Sequence, residues 1–309
     1  MWLIIAIIAY FFLGLGNVFD KILVSKHISS PLAYAFYVGI LNIAALVLIP
    51  LGVTVPSVFN LFLCLLSGIF FIAALYYLYS ALKSGETSTV TPLVYGSTPV
   101  YLLVLSFIFL GERLTVYEII AFALLIIGLV TIAYQKQRRG LIKTILIWLK
   151  IYDYKKPLYQ AILAGLFFAL MNLSLKAIYQ NLGFVSGLFW SRMAAVLTAL
   201  IVLIFIASLR QQIFKGKKEK RTAGKIKLFF VGNQVLAMLG FVGVNYAISL
   251  ASATIVTALQ GLQYVFVFIL VAVLGTKIPD LKEKWTIKII TQKLIATILI
   301  IVGLYFLNL

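Results

Sequence analysis

The chain is built almost entirely from long apolar runs separated by short polar breaks. Of its 309 residues, 63% are hydrophobic and 11% are charged, and the mean hydropathy is +1.12. A helix needs about 20 apolar residues to cross the roughly 30 Å hydrocarbon layer of a bilayer. We count ten such runs, at 2–24, 31–50, 58–82, 88–110, 115–134, 158–179, 184–208, 227–250, 253–275 and 288–309. The sequence therefore predicts an all-α membrane protein with ten transmembrane helices.

The two halves of the chain repeat one another. Asn17 and Lys21 in the first run recur at the same spacing as Asn172 and Lys176 in the sixth run. Because each half has an odd number of runs, the second half must enter the membrane in the opposite direction, which predicts two inverted five-helix repeats. Such duplicated units are typical of secondary transporters. The predicted units are a first repeat at 1–134, a basic interfacial linker at 135–157 and a second repeat at 158–309.

Positive charge is concentrated on one predicted face of the membrane. The net charge is +18, and most of the 26 Lys and Arg residues fall in the loops at 136–156, 210–227 and 277–288. Short basic loops favour the cytoplasmic side and its anionic lipids. We therefore expect a multi-pass protein of the inner (plasma) membrane with both termini outside and anionic lipids at the basic face. A one-sided basic rim follows from orientation alone, so no nucleic-acid partner is expected.

Several classes of chemistry are disfavoured by residue usage. Cys64 and His27 are the only cysteine and histidine, so no metal site built from these ligands and no cofactor is expected. The runs lack a nucleophile with its base or a carboxylate pair, which argues against an enzyme. No phosphate-binding loop is present, so ATP is not expected to drive transport through this chain.

Ionisable residues inside apolar runs are the strongest candidates for function, because burying a charge in lipid is costly. Arg192 lies near the middle of the seventh run and is predicted to bind an anionic substrate; the alternative is a structural role, with backbone or amide groups neutralising it. Asp20 is predicted to couple transport to an ion, the alternative being a salt bridge with a lysine such as Lys83. An Arg192–Asp20 pair is not expected, because their depths differ by about 18 Å in straight helices.

Further candidates surround these charges. Asn17 and Lys21 share a helix face, as do Asn172 and Lys176, and the inversion predicts that the two pairs line opposite halves of one cavity. The alternative for Lys176 is that its ammonium extends to the outer headgroups. The remaining predicted substrate-binding residues are aromatic or amide side chains that could equally bridge or pack helices: Tyr76, Tyr95, Asn245, Gln260 and Gln263. Together these residues predict a substrate with a carboxylate or phosphate.

The first half carries a recognisable combination of motifs. It contains Tyr79-x-Ala81-Leu82, then Pro92 and Pro99, then the turn Gly111-Glu112-Arg113-Leu114-Thr115. These residues resemble the drug/metabolite transporter superfamily, of the EamA type with two five-helix repeats. The resemblance implies an alternating-access carrier whose central cavity is lined by helices 1–4 and 6–9, with helices 5 and 10 at the periphery. It also implies substrates such as amino acids, metabolites, drugs or nucleotide sugars.

The second half departs from this pattern. Gly275 is not followed by a glutamate, and the ninth run has no proline but contains Gly261. Pro92, Pro99 and Gly261 are the predicted hinges, since proline removes a backbone donor and permits a bend. Members of this type are usually drawn with both termini in the cytoplasm, whereas the basic loops here predict the reverse.

The combined prediction is a secondary active transporter that moves a small organic metabolite through alternating access, with export as the direction that the resemblance suggests. One alternative is a translocase for lipid-linked sugars or polyprenyl phosphates, which lateral openings between helices would favour. Another is a non-transporting membrane scaffold that binds a partner through the basic loop at 210–227.

Overall fold

A computed structural model describes residues 2–26, 30–110, 115–133, 156–214, 223–251, 261–276 and 286–306, with 256, 259, 278 and 281. These residues are almost wholly helical. The elements are α1 (Trp2–Lys26), α2 (Pro31–Leu41), a 3₁₀ helix (Asn42–Leu51), α3 (Val58–Ser84), α4 (Thr87–Leu110), α5 (Val116–Ala133), α6 (Lys156–Phe205), α7 (Ala207–Phe214), α8 (Ala223–Leu250), α9 (Gly261–Leu274) and α10 (Ile287–Phe306).

Six of the helical segments are long and apolar enough to cross a membrane. They lie in α1, in α2 with the 3₁₀ helix, and in α3, α4, α6 and α8. Helices α9 and α10 contain shorter apolar stretches, Val265–Leu274 and Ile290–Gly303. The prediction of an all-helical membrane protein is confirmed, whereas the ten crossings and the inverted orientation of the repeats stay predictions.

Helix α6 reverses direction at Gly183. This glycine has a φ of 69°, a left-handed conformation that few other residues adopt. A Cβ placed on Gly187 would lie 2.7 Å from the ring of Tyr179, a contact that a straight helix would not allow. The two arms, 156–182 and 184–205, therefore form a helical hairpin, and they coincide with the sixth and seventh predicted runs.

The second predicted run changes its helix type partway. Helix α2 begins after Ser30, whose side chain accepts a hydrogen bond from the Ala33 amide, and Pro31 occupies its first turn. At the end of α2 the Asn42 side chain donates to the carbonyls of Val38 at 2.9 Å and Gly39 at 3.2 Å. The chain then continues as a 3₁₀ helix of 10 residues, which is long for this narrow helix type.

Helix α3 lies at the centre of the fold, between the two arms of α6. Asn181 donates to Asn60 near the start of α3, and the ring of Phe167 stacks on Tyr77 further along. Helix α8 packs along α1, with Gly240 directly against the backbone of Ala9. Helices α5 and α10 pack against each other at the side of the fold. The arrangement leaves α1, α3, α6 and α8 around a common space.

The closest approach of α3 to the second arm of α6 depends on Gly68. A Cβ at this position would lie 2.5 Å from the carbonyl carbon of Ala194, which is backbone and has little freedom to move. We expect Gly68→Ala to lower the free energy of unfolding by about 1–3 kcal/mol through overpacking. Thermal unfolding of the purified protein measures this. Gly232→Ala is the matched control, because nothing lies within 4 Å of its Cβ; equal melting of the two variants would contradict the packing argument.

Candidate functional site

The helices surround a cavity of about 630 Å³. Its described walls come from α1, α2, the 3₁₀ helix, α3, α4, both arms of α6 and α8. Most lining side chains are aliphatic or aromatic. The polar ones are few: Tyr10, Asn17, Asp20, Asn42, Tyr79, Tyr95, Asn172, Arg192, Gln234 and Asn245. An apolar cavity with a few convergent polar groups is typical of a small-molecule site.

Arg192 presents its guanidinium to this cavity between two aromatic rings. Its central carbon lies 4.0 Å from the ring centroid of Phe241 and 4.7 Å from that of Phe71. Nη1 donates to Oδ1 of Asn42 at 3.2 Å, while Nε and Nη2 have no hydrogen-bond partner among the described residues although Arg192 is only 6% exposed. The ring faces stabilise the positive charge without accepting these hydrogen bonds. The protein groups around this buried cation therefore use only part of its hydrogen-bonding capacity.

Asp20 is the acidic residue on the described wall of the cavity, and its hydrogen-bond partners are neutral side chains. It is 5% exposed, and its Oδ1 accepts from the Tyr34 hydroxyl at 2.5 Å and from the Asn233 amide at 2.6 Å. The Tyr34 hydroxyl in turn accepts from Gln234 at 3.4 Å. A carboxylate held in this way keeps one oxygen for a proton or another cation.

The two charged groups lie at different levels of the cavity. On α8, Asn233 contacts Asp20 and Phe241 covers Arg192. Eight residues of α-helix separate Asn233 from Phe241, which corresponds to about 12 Å along the axis. This separation agrees with the sequence argument against an Arg192–Asp20 ion pair.

The two predicted lysines hold helix ends and do not line the cavity. Lys21 Nζ donates to the carbonyls of Leu82 at 2.7 Å and Gly85 at 2.8 Å, at the end of α3. Lys176 Nζ donates to those of Ile248 at 3.3 Å and Ala251 at 3.0 Å, at the end of α8. The last carbonyls of a helix lack intrahelical partners and carry partial negative charge. Lys21 and Lys176 therefore make the same contact in the two halves of the chain, which supports the predicted duplication.

Four of the predicted amide and tyrosine side chains do line the cavity. The Tyr95 hydroxyl donates to Asn17 at 3.1 Å, and Asn172 also lines the cavity. Asn245 accepts from the Tyr179 hydroxyl at 2.7 Å and donates to the carbonyl of Phe241 at 2.8 Å. These hydrogen bonds fix the walls around Arg192 and Asp20.

The other predicted positions fall elsewhere. Tyr76 is partly exposed and packs its ring on Tyr77, away from the cavity. Gln263 is fully buried but is not among the lining residues. Gln260, and residues 135–155 of the predicted linker, lie outside the described residues. Their predicted roles stay predictions.

The predicted hinges occupy regular positions. Pro92 and Pro99 both lie within the continuous helix α4, and Gly261 is the first residue of α9. A hinge role for these residues stays a prediction.

Sequence reasoning missed several residues of the site. Asn42, Phe71 and Phe241 surround Arg192, and Tyr34 bonds Asp20. Asn42 could have been found, since an amide inside an apolar run is a functional signal. The phenylalanines could not, because they are two of 23 in the chain and their partner is set by the fold.

Known proteins resemble this chain in its overall fold and, by sequence, in its first half. A solved structure described as "Crystal structure of protein" superposes with a TM-score of 0.61 and 15% sequence identity over 98% of this chain and 93% of that one. At this identity the similarity concerns the fold alone. Residues 1–134 match the EamA-like transporter family. No curated protein matches the chain.

The EamA match confirms the resemblance to the drug/metabolite transporter superfamily over the first predicted repeat. It supports a multi-pass membrane transporter of this type, in agreement with the apolar helices. In the expected arrangement helices 5 and 10 are peripheral, and no described residue of α5 or α10 lines the cavity. The Gln292 side chain of α10 instead donates to the Thr131 carbonyl of α5.

The lysine contacts give a direct test of a structural role. Lys21→Met and Lys176→Met each remove a charged donor from two carbonyls, and we expect each to lower the free energy of unfolding by about 1.5–3 kcal/mol. Thermal unfolding compares them with Lys288→Met, an exposed lysine on α10. If the Lys21 and Lys176 variants melt like the control, the lysines do not stabilise the helix ends.

Proposed function

We propose that this protein is a secondary active transporter for a small organic solute that carries a carboxylate or phosphate. The observation that carries the proposal is Arg192, a buried cation on the cavity wall with two nitrogen donors free. A planar guanidinium pairs with carboxylate or phosphate oxygens through parallel hydrogen bonds. A bound anion would supply the counter-charge that Phe71, Phe241 and Asn42 do not.

The charge arrangement also bears on how transport is driven. The carboxylate and amine of one amino acid lie less than about 4 Å apart by covalent geometry. They are too close together to reach Arg192 and Asp20 at once, since the α8 residues that contact these two groups, Phe241 and Asn233, are about 12 Å apart along the helix axis. We therefore assign Arg192 to the substrate anion and Asp20 to a coupling proton. Asn17, Tyr95, Asn172 and Asn245 are placed to orient the rest of the substrate.

Alternating access is the mechanism that best suits a duplicated chain with a central cavity. Lys21 and Lys176 fasten α1 and the first arm of α6 to helix ends in their own halves of the chain. Each half can then move as a unit around Arg192 and Asp20. The protein would work in the inner membrane with its basic loops against anionic lipids and both termini outside.

Neutralising Arg192 tests the anion site. We expect Arg192→Gln to weaken binding of the anionic ligand about tenfold or more, because charge-assisted hydrogen bonds are lost. The measurement is a thermal-shift screen with amino acids, organic acids, nucleotides and nucleotide sugars, since ligands that bind the folded state raise its melting temperature. Wild type and variant are screened side by side.

The matched control for this screen is Arg210→Gln. Arg210 is exposed on α7 and bonds the Ile204 carbonyl, outside the cavity. Its replacement should leave the ligand response intact. A response that survives in Arg192→Gln, or that is lost equally in both variants, would remove the anion site.

Asp20→Asn tests the coupling role. Asparagine keeps an oxygen for the hydrogen bonds from Tyr34 and Asn233 but cannot carry a charge or release a proton. In proteoliposomes, with the ligand found in the screen, we expect uptake driven by a proton gradient to be lost while exchange of internal for external ligand persists. Gradient-driven uptake at the wild-type rate in this variant would show that Asp20 does not couple transport to protons.

A further inference from the structure

We infer that the substrate is an amphipathic anion whose head binds Arg192 and whose apolar chain extends into the bilayer between the 3₁₀ helix and α8. This inference rests on the proposed anion site and narrows its substrate class. It is carried by an opening in the cavity wall, by the apolar chemistry of that opening and by the position of Arg192 next to it.

The cavity is open on the side between these two elements. Val47 of the 3₁₀ helix and Leu239 of α8 both line it, yet they are 69% and 54% exposed. Their neighbours on the lining share this exposure, namely Leu41, Val235 and Met238. An enclosed cavity would bury its walls. These side chains therefore form the two edges of a lateral gap.

The gap has a closed end and an open end. Near Asp20, α2 and α8 meet through Phe230, whose ring packs edge-on against Tyr34 at 5.3 Å and Tyr37 at 6.4 Å. Beyond the end of α2, the chain continues as the 3₁₀ helix. The side chains of the 3₁₀ helix line one edge of the cavity, and those of α8 line the other edge. The opening thus lies beside Arg192 and away from Asp20.

Arg192 is held by one residue from each edge of the gap. Asn42, the first residue of the 3₁₀ helix, accepts its hydrogen bond, and Phe241 of α8 covers its guanidinium. An anion paired with this guanidinium would consequently lie beside Asn42 and Phe241, at the inner mouth of the gap. The remainder of such a ligand can continue outward without crossing a helix.

The edges of the gap suit a hydrocarbon chain. Leu41, Val47, Val235, Met238 and Leu239 carry no polar side-chain group that could hold water or a sugar. Both edges belong to segments long and apolar enough to span a membrane, so the gap faces lipid at the depth of Arg192. A fully polar solute would gain nothing from this opening, whereas an alkyl phosphate or carboxylate matches the charge of Arg192 and the apolar edges at once.

The test uses binding in nanodiscs of phosphatidylcholine, which has no net charge to compete for Arg192. The probes are dodecyl phosphate and inorganic phosphate, and the readout is the probe concentration that gives the half-maximal rise in melting temperature. For wild type we expect dodecyl phosphate to act at a concentration at least about tenfold lower than inorganic phosphate, because burial of methylene groups favours the bound chain. Arg192→Gln should abolish both responses.

Leu239→Trp separates the gap from the anion site. The indole should fill the space of the chain, so that the dodecyl phosphate response weakens about tenfold or more while the inorganic phosphate response is unchanged. Leu228→Trp is the matched control, since Leu228 is an exposed leucine of α8 that does not line the cavity. Val47→Trp repeats the test from the opposite edge, and melting without a probe verifies that each variant is folded.

The outcomes distinguish this inference from the function on which it rests. Phosphate binding that depends on Arg192, without an advantage for the dodecyl chain, overturns the amphipathic substrate and leaves the anion site standing. The same holds if the tryptophan variants at the gap behave like Leu228→Trp. If neither probe gives a response that depends on Arg192, both the inference and the proposed anion site fail.

Discussion

A positive charge buried without a carboxylate partner among the described residues is the constraint around which this protein is arranged. In an apolar layer a guanidinium must be stabilised by protein groups, because no bulk water reaches it. Two aromatic faces and one amide stabilise Arg192 but use only part of its donor capacity. The three elements that supply these groups, α3, α8 and the 3₁₀ helix, are therefore held around one point. Arg192 lies on the cavity wall, and the hydrogen bonds that its guanidinium does not form within the protein are those that the proposed substrate would supply.

The two predicted repeats share a structural contact but differ in their charges. Lys21 and Lys176 occupy corresponding positions and make the same contact with the end of a helix. By the same correspondence Asp20 is matched by Leu175, which is fully buried and apolar. The lysine contact that stabilises a helix end thus recurs in the second predicted repeat, whereas the acidic group is present only in the first. In the proposed transport role, a substrate would therefore meet a cavity that is basic at Arg192 and acidic at Asp20.

Much of this organisation could be predicted from local sequence, and the rest depends on contacts between distant segments. Apolar runs predicted the helices, and the polarity of Asn17, Asn172, Arg192 and Asn245 within such runs predicted the cavity wall. Spacing placed Lys21 on the face of Asn17 but could not reveal that the end of α3 comes within 2.7 Å of its ammonium. The change to a 3₁₀ helix at Asn42 was missed because hydrophobicity is the same in both helix types. Aromatic partners of Arg192 were missed because ring stacking leaves no mark in the sequence.

The 3₁₀ helix gives one edge of the cavity a variable length. A 3₁₀ helix rises about 2.0 Å per residue and an α-helix about 1.5 Å, so the 10 residues from Asn42 to Leu51 would shorten by about 5 Å if they rewound as α-helix. Their first residue is tied to Arg192, and Gly52 ends the segment in a left-handed conformation. An anion that draws the guanidinium away from Asn42 would release the very residue at which the helix changes type. Binding of an anion to Arg192 would then move the segment from Asn42 to Leu51 along its own axis.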